Sequence, residues 1–192
     1  MGICDQFLPP VTDAFQTLGL EPCLVISDEA VSDAYREVGK RIHPDAGGGE
    51  GEFAALREAL TLILSPSRRL RHWLEQKGIP CEVRGSIDSA LMDLFAKVGA
   101  VTQQAEEVIR KRDEAKSLLV RALLEGETQV CREAVERAIT EVESAITHDS
   151  SYFREIETGD LSDAVSVAKI ARSLAFLEKW RTGLRSCFAR LV

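Results

Sequence analysis

Residues 27–64 read SDEAVSDAYREVGKRIHPDAGGGEGEFAALREALTLIL. Ser27 is a good helix N-cap, and Asp28 and Glu29 put negative charge into the first turn, where the helix dipole favours it. Ala30, Val31, Ala34, Tyr35, Val38 and Ile42 then recur at helical spacing and make one apolar face. Pro44 disfavours helical geometry at His43, so this helix is predicted to end there. A glycine-rich loop, Ala46 to Gly51, follows, and a second amphipathic stretch, Glu52 to Leu64, sets Phe53, Leu56, Leu60 and Ile63 on one side. The segment is therefore two helices joined by a short loop that displays His43-Pro44-Asp45.

On the N-terminal side, Asp13 caps a short helix, Ala14 to Leu18, stopped by Gly19. On the C-terminal side, Ser65-Pro66 opens a basic helix, Ser67 to Gln76, that ends at Gly78. That makes four helices in the first 80 residues. Gly78, Pro80 and Gly85 then interrupt the chain, and three long helices are predicted beyond them. The first begins near Ser86 and runs as far as Leu124, with its stop at Gly126. The second spans Thr128 to Ile156, with Val130, Ala134, Ala138, Val142 and Ala145 near one stripe and Gly159 as its end. The third runs from Ser162 almost to the C-terminus, with Leu174, Leu177, Leu184, Phe188 and Leu191 at heptad-like spacing. Short connections between long helices imply antiparallel neighbours and hence a three-helix bundle. The expected fold is all-α, with domains at 10–78 and 86–192.

Bulk properties agree with an ordinary globular chain: 192 residues, 45% hydrophobic, 29% charged and 6% aromatic, with a net charge of -7. Residues 1–80 hold 8 basic and 12 acidic side chains, and residues 81–192 hold 16 and 19. Neither half has the basic excess that phosphate neutralisation requires, so nucleic acid is not an expected partner. The five cysteines form no CxxC pair and no knuckle spacing with the three histidines, which reads as reduced thiols acting as small hydrophobes. No basic leader region and no membrane-length apolar run are seen, so the expectation is a cytoplasmic protein without a membrane partner.

The HPD unit carries an imidazole, a rigid ring and a carboxylate. Pro44 restrains the backbone, and Asp45 is a group that an arginine of a partner would take in a charge-assisted contact. A catalytic dyad or metal site at His43 and Asp45 lacks a third ligand, because His72 and His148 fall in unrelated helical contexts. No activated nucleophile is evident, so no catalytic residue, metal ligand or cofactor is expected. The glycine run follows a helix, lacks GKS or GKT, and carries Glu50 and Glu52, which argues against a phosphate loop. Arg36, Lys40 and Arg41 lie on the polar side of the helix before HPD. Two readings stand: a solvated face balanced by Asp33 and Glu37, or a positive docking surface for an acidic partner. Farther along, Ile87, Leu91, Met92, Leu94 and Phe95 place five bulky apolar residues in nine positions, more than one buried stripe needs. Part of this cluster is expected to face outward and bind a partner, with Phe176 beside it.

The helix–HPD–helix pattern resembles the J-domain, the co-chaperone module that stimulates DnaK-type ATPases. The two-part plan resembles HscB, the J-domain co-chaperone of iron–sulfur cluster assembly. The segment from Leu64 to Gly78, with Pro66 and Arg69 in a Pro-x-x-Arg element, is similar to that family. So are Leu91-Met92-Asp93, against a Leu-Met-Glu signature, and Phe176-Leu177-Glu178-Lys179-Trp180, against a Phe-Leu-x-Lys-Leu element. The resemblance implies that His43, Pro44 and Asp45, with Arg36, Lys40 and Arg41, engage a DnaK/HscA-type ATPase. It also implies that Leu91, Met92, Phe95 and Phe176 bind an iron–sulfur scaffold protein of the IscU type. Ala46 stands where a lysine commonly follows HPD, Ala96 and Gly99 stand where acidic residues flank the apolar contacts, and the metal-binding cysteine pairs of some members are absent. The rival expectation is a J-domain protein whose bundle binds an unrelated client or dimerises.

Overall fold

In the computed structural model, residues 13–42, 49–82, 85 and 88–192 are described. The chain divides into two compact units, Met1–Ile79 and Pro80–Val192. The described residues are helical throughout, without a strand.

The first unit holds α1 (Ala14–Leu18), α2 (Asp28–Ile42), α3 (Glu50–Leu64) and α4 (Pro66–Gln76). Asp13 caps α1, its Oδ1 accepting from the amides of Phe15 and Gln16 at 2.9 and 3.3 Å. Gly19 ends α1 at φ +68°, a left-handed conformation that glycine adopts without steric cost. Ser27 Oγ accepts from Ala30 N at 3.1 Å at the start of α2. The glycine-rich loop is shorter than its composition suggests: Gly49 is the N-cap of α3, and Gly51 lies inside the helix. Glu52 holds this entry by accepting from Gly49 N at 3.4 Å. Phe15, Leu18, Leu24, Val31, Leu56, Ile63, Leu70 and Leu74 bury almost completely as the core. His72 is a structural residue of this core. Its Nε2 accepts from Ala14 N at 3.1 Å, and its ring stacks on Phe15 with centroids 5.8 Å apart, tying α4 to the first turn of α1.

The second unit holds α5 (Ser89–Glu114), α6 (Leu118–Ser151), α7 (Phe153–Thr158) and α8 (Ala164–Leu191). Cross-helix pairs define the direction of each long helix. Lys97 meets Glu141 and Lys111 meets Glu127, so α5 and α6 are antiparallel. Glu143 meets Arg185, while Arg132 donates to Leu191 O at 3.0 Å, so α6 and α8 are antiparallel too. Asp88 meets Lys169 and Arg112 donates to Leu191 O at 2.9 Å, which sets α5 and α8 parallel. The result is the up-down-up three-helix bundle expected from the sequence, with the short α7 as an addition.

Two expectations are corrected. The first long helix ends at Glu114, and Gly126 lies inside α6. Ser117 makes the new start: its Oγ accepts from Val120 N at 3.2 Å, and Arg121 Nε donates to Ala115 O at 3.1 Å across the corner. A serine cap is a stronger start signal than one helical glycine is a stop. The apolar stripe of α6 is also shifted in part: Ala138 and Val142 are buried as expected, while Ala134 and Ala145 are half-buried. The buried seam is Thr128, Cys131, Val135, Ala138, Val142 and Ile146, whereas Val130 is 59% exposed. Burial pushes the Cys131 and Cys187 thiols up, so both are protonated core residues.

Candidate partner-binding sites

His43, Pro44 and Asp45 lie outside the described residues. The helix that leads to them does not. Arg36, Lys40 and Arg41 are all exposed on α2, in its second half. Arg36 pairs with Asp33, and Lys40 pairs with Glu37 at 2.6 Å. The hydrogen bond from Lys40, with its charge, holds the Glu37 carboxyl below the usual range. The positive surface is therefore partly balanced by acids one turn earlier. Exposed pairs of this kind are weak.

The second site stands on α5 and α8. Asp88 starts α5, accepting from Ala90 N at 3.0 Å through one carboxylate oxygen and from Lys169 Nζ at 2.5 Å through the other. That pair lowers the Asp88 pKa, first through the Lys169 hydrogen bond and then through the Ala90 amide. It also sets the first turns of α5 beside α8. Met92 is 47% exposed, Phe95 51% and Phe176 37%, while Leu91 is half-buried. Residues more than 80 positions apart in sequence thus share one surface.

Trp180 joins them, and sequence reasoning passed over it. Its ring lies 5.6 Å from that of Phe95 and 6.1 Å from that of Phe176, both tilted, so three aromatic side chains form one platform. The signal was available, since Trp180 follows Phe176 by one helical turn. Beside the platform, Leu91, Leu94, Phe176 and Leu177 line the apolar wall of a cleft of about 520 Å³. Asp149 stands on its polar side. Burial raises the Asp149 carboxyl above the usual range, against a hydrogen bond from Ser173 and the charges of His148 and Lys169. Among the described residues no helix is long and apolar enough to cross a membrane, and no cluster of His, Cys, Asp or Glu is arranged to hold a metal ion.

The chain has the all-α fold of two solved HscB structures. It is similar to the chaperone HscB from Vibrio cholerae at a TM-score of 0.60 and 18% identity, over 94% of this chain and 100% of that one. It is similar to the human co-chaperone protein HscB at a TM-score of 0.51 and 16% identity, over 93% and 87% of the two chains. No protein-family model and no curated protein matches the sequence.

Proposed function

We propose that this chain is a non-enzymatic co-chaperone of iron–sulfur cluster assembly. Residues 10–78 act as a J-domain whose His43-Pro44-Asp45 loop, supported by Arg36, Lys40 and Arg41, stimulates ATP hydrolysis by a DnaK/HscA-type chaperone. Residues 86–192 bind an iron–sulfur scaffold protein of the IscU type through Leu91, Met92, Phe95 and Phe176. The observation that carries this reading is the exposed platform itself. Contiguous exposed apolar patches mark interaction sites, and Phe95, Met92 and Phe176 are exposed together around Trp180. The apolar side chains gain by leaving water against the scaffold, and the HPD loop delivers the hydrolysis signal to the ATPase that then closes on it. The chemistry belongs to the ATPase; this chain couples the two binding events.

The test combines two variants with a purified ATPase chaperone and scaffold. His43→Gln is expected to change stability by less than about 0.5 kcal/mol, as surface substitutions do, while stimulation of hydrolysis collapses. Phe95→Ala is expected to weaken scaffold binding, with a cost of about 2 kcal/mol or more if it is a central anchor. Stimulation measured without scaffold should stay unchanged in Phe95→Ala. Normal stimulation by folded His43→Gln would sink the J-domain assignment, and full scaffold affinity in Phe95→Ala would sink the assignment of the platform.

A further inference from the structure

Among the described glycines, Gly85 alone leaves no room for a side chain. A Cβ there would stand 2.6 Å from Cζ of Arg172 and 2.7 and 2.9 Å from its two terminal nitrogens, whereas the nearest neighbour at any other described glycine is 3.8 Å away. The backbone at Gly85 is not left-handed; that conformation belongs to Gly19, Gly78 and Gly159. Space, not conformational freedom, therefore asks for glycine at this point. Arg172 uses the space. From α8 it donates to Glu82 O at 2.9 Å, across 90 positions of sequence. One turn earlier on α8, Lys169 holds Asp88, the N-cap of α5, at 2.5 Å. One and two turns later come Phe176 and Trp180 of the platform. Lys169, Arg172, Phe176 and Trp180 recur at intervals of 3, 4 and 4, which is one face of a helix. The same stripe of α8 thus grips the incoming chain and then carries the aromatic surface.

From this we infer that Arg172, seated on Gly85, is a positioning residue for the platform. Its role rests on the platform being the scaffold-binding surface proposed above. Leu91 and Met92 lie in the first turn of α5, where the amide of Met92 bonds to Asp88 O at 3.0 Å. Helix ends fray unless something outside the helix holds them. Lys169 holds the cap, and Arg172 holds the chain six residues before it, so the approach to α5 is fixed at two points. Arg172 also lines the cleft beside Leu91 and Phe176. The platform is therefore ordered before a partner arrives, and binding does not have to supply that order.

Amide hydrogen exchange of the full chain, followed by heteronuclear NMR, is the direct test. Arg172→Ala and Gly85→Ala should each speed exchange at Leu91 to Phe95 by roughly 3- to 10-fold, about what ordering one side chain is worth. Exchange at Val135 to Val142 in α6 should stay as it is. The melting temperature should move little, because the guanidinium can swing aside without disturbing the core. The double variant should exchange no faster than Arg172→Ala, since the collision disappears with the guanidinium. Scaffold affinity, read by calorimetry, should fall by a similar factor in all three variants. Unchanged exchange at Leu91 to Phe95 in both single variants overturns the inference, as does an additive effect in the double variant. Uniform acceleration across the bundle overturns it too, because Arg172 would then be an ordinary stability residue. Undiminished scaffold affinity in Arg172→Ala, where Phe95→Ala binds weakly, removes the positioning role and leaves the platform standing. If Phe95→Ala also binds normally, the platform reading fails and the role of Arg172 falls with it.

Discussion

His72 and Trp180 show how much one side chain contributes to each unit. From the middle of α4, His72 receives the Ala14 amide while Asp13 caps α1, so one small cluster fixes both the start of α1 and the position of α4. Desolvation works to raise the Asp13 carboxyl, but hydrogen bonds from Gln76 and from the Gln16 and Phe15 amides outweigh it and lower the pKa. The folded state therefore binds fewer protons than the unfolded one between the depressed and the ordinary value. The stabilisation is complete above the ordinary carboxylate pKa and is lost as pH falls through the depressed one. Thermal melts at stepwise lower pH should show this acid limb, and Asp13→Ala should remove it at a cost of about 1 kcal/mol. At the platform, Trp180→Ala is expected to weaken scaffold binding as strongly as Phe95→Ala, whereas Trp180→Phe should retain most of it, since an aromatic face is preserved. Calorimetric titration beside a melting curve separates lost contact from lost fold. Equal affinity in wild type and Trp180→Ala would remove this residue from the platform.

Among the elements, α6 is the most informative. Its N-terminus rests on Ser117, so Ser117→Ala should cost about 1 kcal/mol. Gly126→Ala, inside the helix with open space around the added methyl, should stabilise by about 0.5–1 kcal/mol. Opposite shifts in urea midpoint from these two variants are the expected signature of a helix that begins at Leu118 and passes through Gly126. If Gly126 were a helix stop, its alanine variant would instead destabilise. In α2 the boundaries come from the sequence directly: Ser27 caps it, Asp28 and Glu29 fill its first turn, and Lys40 and Arg41 its last.

For the whole molecule, the proposed mechanism requires that two binding functions share one chain. Fragments 1–79 and 80–192 each contain a core of their own, so each is expected to melt cooperatively when expressed alone. The first should still stimulate the ATPase and the second should still bind the scaffold. Enhanced hydrolysis in the presence of scaffold should require the linked chain, because linkage raises the effective concentration of one partner near the other. Steady-state hydrolysis with the two fragments mixed in trans is the measurement. Full enhancement from the unlinked pair would contradict the coupling.

The sequence by itself determined the helical class, the division into four short and three long helices, and the positions where caps and breakers are strong. Asp13, Gly19, Ser27 and Ser65 act through their nearest neighbours, and that information is local. It also pointed to an outward-facing part of the Ile87–Phe95 cluster, because five bulky apolar residues in nine positions overfill one buried stripe; Met92 and Phe95 are exposed members of it. Only the tertiary structure decided which face of α6 is the seam. Val130 and Cys131 are both apolar and adjacent, and nothing in the helix period says which one meets α5 and α8. The same holds for the break at Ser117 against Gly126, and for Trp180. Its partnership with Phe95 spans 85 positions, and it exists only because α5 and α8 run parallel. Such pairings depend on which helix faces which, a property of the packed core that no short stretch of the chain encodes.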